Sequence, residues 1–356
     1  MIEKRFVHTF GTEWPRAIGP ALTIAPNGDW LCNWVAGPQP ERDGQPGLSA
    51  VYKRSTDAGQ SWSDLAIWIA PDGADRCGHG HPNYVEDGEI VAFGLTFAAL
   101  APHMPRRRPF VLRSRDSGHT WGEREPLHDR AGVVTRRGRV VLANGDWLFP
   151  QHYLRPPGVP IDLLHFPEAL QQKQDVASWV WGVNVLISGD GGRTFLPSAL
   201  VEPPVRMNEP HALELRDGKV VLLCRADRDG FLWRTESDDA GRTWAPPRRT
   251  DIPNPASKVS LLRLDDGRIA LVHNPSSAAR DPLALWISED EMRTWPVQVE
   301  LDAWRHHERW FTRRPGAGSS TALAYPHAIQ IGDALHVVYD LGRRDIVHLK
   351  VDLDAL

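Results

Sequence analysis

The chain has 356 residues, of which 41% are apolar and 24% charged, enough apolar material for a large packed core and too much for a disordered chain. Its 30 Gly, 30 Pro and 15 Trp, spread over the whole length, describe many short strands joined by tight turns and exclude a long helical bundle. A formal charge of -4 and a pI near 6.4 offer no polybasic field for nucleic acid or an anionic membrane surface, so neither is expected as a partner.

Cys32, Cys77 and Cys224 are widely spaced and lack CxxC or Cys/His ligand spacing, so neither a disulfide framework nor a structural zinc site is expected. The first residues, MIEKRFVHTFGTEWPR, lack the apolar core of a signal peptide, and no stretch approaches a membrane span. The expectation is a soluble, cytoplasmic protein.

Along the chain, short alternating apolar runs break at Asn27-Gly28, Asp87-Gly88, Asn144-Gly145, Asp217-Gly218, Asp266-Gly267 and Gly332-Asp333. Each dipeptide predicts a two-residue hairpin, and the six are spaced 49 to 73 residues apart. In counterpoint runs an eight-residue box, Ser-x-Asp-x-Gly-x-Thr/Ser-aromatic: STDAGQSW from Ser55, SRDSGHTW from Ser114, SGDGGRTF from Ser188 and SDDAGRTW from Ser237. A fifth copy, SEDEMRTW from Ser288, carries Met292 in place of Gly. The box has the chemistry of a strand-to-strand turn: Gly takes positive φ, Asp and Ser/Thr bond the turn's own backbone, and the aromatic plugs the core.

Hairpin, third strand, box and fourth strand together make one four-stranded propeller blade. The sixth unit, from near Leu323, has no box and material for three strands; the stretch Glu3 to Phe10 supplies the fourth and removes the open edge. The predicted architecture is therefore all-β, a six-bladed β-propeller with Asp-box repeats, closed by an N-terminal strand and forming one domain over residues 1–356. The longest interval contains LLHFPEALQQKQDVASW, read as a helical insertion over one face, and Arg106, Arg107 and Arg108 read as a solvated loop near the rim.

Asp-box repeats in a six-bladed array resemble the sialidase (neuraminidase) superfamily, and the similarity runs nearly the full length. NEPHALELRDGKVVLLCRAD, DIPNPASKVSLLRLDDGRIALVHNP, ARDPLALWISEDEMRTWP and AYPHAIQIGDALHVVYD resemble the later blades of BNR-repeat predicted neuraminidases. The resemblance implies residue roles one position at a time. The glutamate opening the innermost strand of blade four falls on Glu209, and the arginine ending the next strand on Arg225. The arginine after the Asn-Pro of blade five falls on Arg280, and the tyrosine opening the last blade on Tyr325. Arg16 in RAIGPAL answers to the first arginine of the triad, and Asp43 in ERDGQPG to the acid/base aspartate.

Topology supplies a separate check. In an up-and-down blade the start of the first strand, the end of the second and the start of the third share one face, and hairpins and boxes lie on the other. Glu209, Arg225, Arg280 and Tyr325 fall on the first face, with His81, His152, Tyr153, His211, Lys258, Asn274 and His327. A ring of charged and imidazole groups is costly in a core and sensible in a pocket. Trp34 and Trp310 are the candidates for stacking on a sugar.

What the resemblance implies is a glycosidase acting on an acidic oligosaccharide or glycoconjugate. Arg16, Arg225 and Arg280 clamp a carboxylate, Tyr325 attacks the anomeric carbon with Glu209 as its base, and Asp43 serves as acid and then base. No metal or organic cofactor is required. The wealth of histidine keeps other readings open: a polysaccharide lyase or rhamnose-uronate enzyme using His/Tyr acid-base chemistry, a divalent-metal site, or a propeller that binds carbohydrate without catalysis.

Overall fold

The computed structural model describes residues 1–11, 14–37, 47–70, 77–80, 84–99, 105–126, 133–135, 139–155, 180–227, 229–307 and 323–356. These residues form six antiparallel sheets arranged as the six blades of a β-propeller. Blade one runs outward through Arg16–Ile24, Trp30–Gly37, Ser49–Ser55 and Ala66–Ile69. Blades four (Met207–Glu214, Val220–Ala226, Phe231–Ser237, Arg248–Pro253) and five (Ser260–Arg263, Ile269–His273, Leu283–Ser288, Val297–Asp302) repeat that order. In blades two and three the innermost strand is broken in two, and each sheet counts five strands. Blade six is Leu323–Ile331, Ala334–Leu341 and Asp345–Asp352, completed by the N-terminal Ile2–His8, whose Ile2 pairs with Val351 and Phe6 with Val347. Joining first and last strands in one sheet closes the ring.

The hairpins fall where the sequence places them, but four are of another kind. Gly28, Gly145, Gly218 and Gly267 stand at φ 83–90°, and each donates its amide to the residue three back, as Gly28 does to Ala25 at 2.9 Å. Each is a three-residue loop ending in a left-handed glycine bulge, reinforced when Asn27, Asn144, Asp217 or Asp266 accepts the amide two residues on. Only Asp87-Gly88, both at positive φ, and Gly332-Asp333 are two-residue turns. The extra residue escapes sequence reading because Asn-Gly and Asp-Gly serve both turn types.

All five boxes fold alike. Ser55 accepts the Gly59 amide at 2.8 Å while Asp57 takes the amide and hydroxyl of Ser61. Those donors and the Ser55 hydroxyl hold the Asp57 carboxyl down at about 2. The fifth box tolerates Met292 at φ 66°, its amide still 2.9 Å from the Ser288 hydroxyl. A Cβ on Gly59 or Gly192 would meet Trp30 or Trp147; in blade five Ile269 stands at that place, and Met292 packs with it against Val221 and Leu223 of blade four. The box aromatics Trp62, Trp121, Phe195, Trp244 and Trp295 are half-buried plugs.

Two further sequence readings need correction. Arg106, Arg107 and Arg108 lie in the strand Pro105–Ser114, paired with Ala98, Phe97 and Thr96, because blade two extends its central hairpin beyond the usual length. Trp34 is fully buried in the core of blade one and has no face to offer a sugar. The LLHFPEALQQKQDVASW insertion and Trp310 lie outside the described residues. No helix among the described residues is long and apolar enough to cross a membrane.

Burial also fixes how acid acts on the fold. At the ring closure His336 Nδ1 and His348 Nε2 lie 2.9 Å apart, rings stacked, with the edge of Trp30 against them. Burial, with nearby cations, pulls both histidines down to about 4, and burial also lowers His8 to about 4 and His273 to about 3. These four stay neutral in the folded chain while the unfolded chain takes up protons below about 6.5, so their contribution to stability is complete above that pH and declines towards 4. Asp340, pushed up to about 6 by burial, works in the opposite sense but is a single group. The melting temperature is expected to fall steadily from pH 6.5 to 4.5 in a calorimetric series; a flat profile would contradict the burial of these imidazoles.

Candidate active site

The innermost strands of blades four and six enter the sheet through the same irregularity. Asn208 pairs with Arg225 and His211 with Leu223; Ala324 pairs with Asp340 and His327 with Val338, so one residue is in excess in each ladder. At the bulges Glu209 has φ 45° and Tyr325 φ 55°, and each precedes a proline, which brings no N–H that the bulge would leave unpaired. Blade one has the same shift with Gly19, φ 64°, before Pro20, and there glycine adopts the conformation without strain. Glu and Tyr at such a place cost roughly 1–3 kcal/mol each, which the surrounding structure has to offset.

Around them the side chains form one connected group. Arg225 Nη1 donates to Glu209 Oε2 at 2.8 Å and its Nη2 to Asp227 Oδ1 at 3.1 Å. Burial works against the Arg225 charge, but Glu209, Tyr325 and Asp227 outweigh it and raise the guanidinium above the usual arginine range. Arg280 lies against the Tyr325 ring, 5.2 Å from its centroid, and Lys258 Nζ is 5.9 Å from the same centroid. Arg280, 2% exposed, donates Nη2 to the Ala256 carbonyl at 2.7 Å, and its buried Nε and Nη1 have no hydrogen-bond partner among the described residues. Lys258 is held by the Asn254–Ser257 turn, where Asn254 both accepts from and donates to the Ser257 backbone at 2.9 Å. Arg16, fully buried at the start of blade one, and Arg280 both act on the carboxylate of Asp340.

Asp340 is the member that sequence reading missed. It is fully buried, accepts the Gly19 amide at 3.1 Å and is pushed up to about 6 by burial, opposed by Arg343, the Gly19 amide, Arg280 and Arg16. An acidic residue inside the apolar run VVYDL, near the end of a second strand, was the available signal, since Arg225 holds the matching place in blade four.

The structure therefore gathers Arg16, Arg225, Arg280, Glu209, Tyr325 and Lys258. Others of the expected pocket residues are used elsewhere. His327 Nδ1 accepts the Leu22 amide of blade one at 3.2 Å, and His211 Nδ1 accepts the Leu261 amide of blade five at 3.4 Å, so both staple neighbouring blades. Asn274 is fully buried and donates to the carbonyls of Pro282 and Leu323. Tyr153 is fully buried with its hydroxyl on the Val201 carbonyl, and His152 is buried with its ring stacked on Trp181. Asp43 and His81 lie outside the described residues.

Fold and site together define the class: a six-bladed Asp-box propeller whose strand-entry face carries buried arginines around a glutamate and a tyrosine. Residues 28–337 match the BNR repeat-like domain, and the chain belongs to that family. It is 29% identical over 232 residues to a sialidase of Micromonospora viridifaciens, a match covering 60% of this chain and 33% of the relative's length, so the chain spans about a third of that protein. Among solved structures it resembles the Hadza microbial sialidase Hz136 (TM-score 0.75, 17% identity, 99% of this chain and 69% of that one). It likewise resembles a protein of unknown function from Dyadobacter fermentans (TM-score 0.73, 19% identity, 99% of both chains). A third likeness is the NanB sialidase of Streptococcus pneumoniae (TM-score 0.70, 13% identity, 99% and 71%). At these identities the structural likenesses speak for the fold.

Proposed function

We propose that the protein is a sialidase-like glycoside hydrolase that removes a carboxylate-bearing sugar from an oligosaccharide or glycoconjugate. The observation that carries this reading is the pairing of Glu209 and Tyr325, held in strained left-handed backbone at matching places of two blades and surrounded by Arg225, Arg280 and Lys258. Arg16, Arg225 and Arg280 bind the substrate carboxylate, for which the two remaining buried N–H groups of Arg280 are suited donors. Tyr325 attacks the anomeric carbon through its oxygen as Glu209 takes the phenolic proton; the glycosidic C–O bond breaks and Asp43 protonates the leaving oxygen. Asp43 then removes a proton from water, which attacks the anomeric carbon and releases the sugar as the Tyr325 oxygen leaves and recovers the proton from Glu209. A tyrosine suits this centre because a neutral nucleophile approaches a carbon beside a carboxylate without charge repulsion.

Lyase chemistry has less support, since His211 and His327 already accept backbone amides from adjacent blades. The test is a panel of sialosides and uronate oligosaccharides assayed together for free acidic sugar, new reducing ends and ultraviolet absorbance. Release of sialic acid with a new reducing end and no absorbance is expected; an unsaturated uronate product would replace the hydrolase with a lyase.

A further inference from the structure

Grooves lie where the hairpin and outermost strand of one blade meet the box of the next. Three are described, with cavities of about 720, 750 and 740 Å³, between blades six and one, two and three, and four and five. Their near-equal size makes the groove a product of the fold, so the lining alone distinguishes them. Between blades two and three, three arginines face four carboxylates, and between six and one, two side-chain cations face three carboxylates. Between blades four and five, six cations (Arg216, Lys219, Arg234, Arg248, Arg249 and Arg293) face four carboxylates.

The excess is concentrated on one wall. Glu236 serves two arginines, Arg234 at 2.9 Å and Arg248 at 2.8 Å. Burial pulls the Arg234 guanidinium below its usual range, with Glu236 opposing the shift and the neighbouring Arg248 adding to it. The Arg249 guanidinium lies over the Phe231 ring, 3.7 Å from the centroid, and pairs with Asp229 at 3.3 Å; Lys219 pairs with Asp238 at 3.0 Å, and Arg293 makes no ion pair among the described residues. The facing wall, from blade five, presents half-buried Trp286 and Trp295, 6.4 Å apart at 49°. Guanidiniums bind carboxylate or sulfate oxygens two at a time, and an indole face takes the C–H face of a pyranose; together they select a sugar that carries negative charge.

We propose that the groove between blades four and five, on the box side of the ring and away from Glu209 and Tyr325, is a second binding site whose ligand is an anionic saccharide. It anchors the enzyme to an acidic glycan independently of the bond the ring mouth cleaves. Calorimetric titration of the full chain with a sulfated disaccharide, its unsulfated uronate counterpart, lactose and sodium sulfate tests this. At least one acidic disaccharide is expected to bind, and to weaken several-fold between about 50 and about 300 mM salt. Lactose and sulfate are expected to bind about tenfold more weakly or not at all, each lacking one half of the recognition. Arg248→Ala/Arg249→Ala, at side chains 66% and 51% exposed and so harmless to folding, is expected to weaken binding by roughly fivefold or more and leave sialoside turnover unchanged. Arg280→Ala, in the ring mouth, is expected to leave this affinity intact. Equal affinity in the double variant, loss of binding in Arg280→Ala, failure of both acidic disaccharides, or sulfate binding as tightly as either (an adventitious ion only) would each overturn the proposal.

Discussion

Tyr325→Phe is expected to lower kcat for sialoside hydrolysis by about 10³-fold or more, some 4 kcal/mol of barrier, with little change in KM and none in the melting temperature. The variant removes one oxygen and keeps the ring that packs beside Arg280 and Lys258, so the pocket walls stay where they are. In the proposed mechanism substrate binding rests on the arginines, which the change leaves in place. Glu209→Gln tests the same step from the other side. It keeps the shape of the side chain that meets Arg225 at 2.8 Å but removes the base, so kcat is expected to fall while the fold persists. If Tyr325→Phe retained more than about a tenth of the parent rate, phenolic attack could not be the mechanism.

The largest effect on stability is expected from Asp302→Ala. Asp302 ends the outermost strand of blade five, is fully buried, and accepts from Lys4 Nζ at 2.7 Å, His307 Nε2 at 2.8 Å, His306 Nδ1 at 2.9 Å, the Ala303 amide at 2.8 Å and the Tyr339 hydroxyl. Burial disfavours its charge, but the donors outweigh burial and hold the carboxyl well below the usual range. A carboxyl depressed in this way adds stability at neutral pH and loses it only in strong acid. Lys4 comes from the closing N-terminal strand and Tyr339 from the second strand of blade six, so one side chain ties the ring closure to blade five. Its removal leaves several buried or half-buried donors without an acceptor and is expected to cost about 3–5 kcal/mol. Hydrogen exchange should then quicken first in Ile2–His8 and Asp345–Asp352. A melting temperature within about 2 °C of the parent would show the cluster to be dispensable.

What could be read in the sequence was what local chemistry decides. The turn glycines and the box serines and aspartates act on backbone a few residues away, so the repeat, the blade count and the closing strand followed from spacing. Glu209, Arg225, Arg280 and Tyr325 were singled out by the resemblance to the sialidase superfamily, and their common face was legible because strand position in a repeat fixes the side on which a residue emerges. His211 and His327 looked like pocket residues by the same rule. They also bond amides of the neighbouring blade, 50 and 305 residues away in the chain, which strand position does not foretell. Asp340 and Asp302 were overlooked for the same reason: each is an acid in an apolar strand whose cations and donors come from other blades. Trp34 was assigned to a sugar because aromatic residues serve cores and pockets alike, and only packing separates the two.

The most direct measurement of the central claim is the mass of the Tyr325 peptide after reaction with a sialosyl fluoride carrying a second fluorine beside the anomeric carbon. That fluorine slows both chemical steps, and the fluoride leaving group lets the first outrun the second, so a covalent intermediate accumulates. One sialyl unit on Tyr325, absent in Tyr325→Phe and lost slowly on dilution, is the result expected. Complete turnover of a sialoside with no adduct on Tyr325, or an adduct on another residue, would contradict the mechanism.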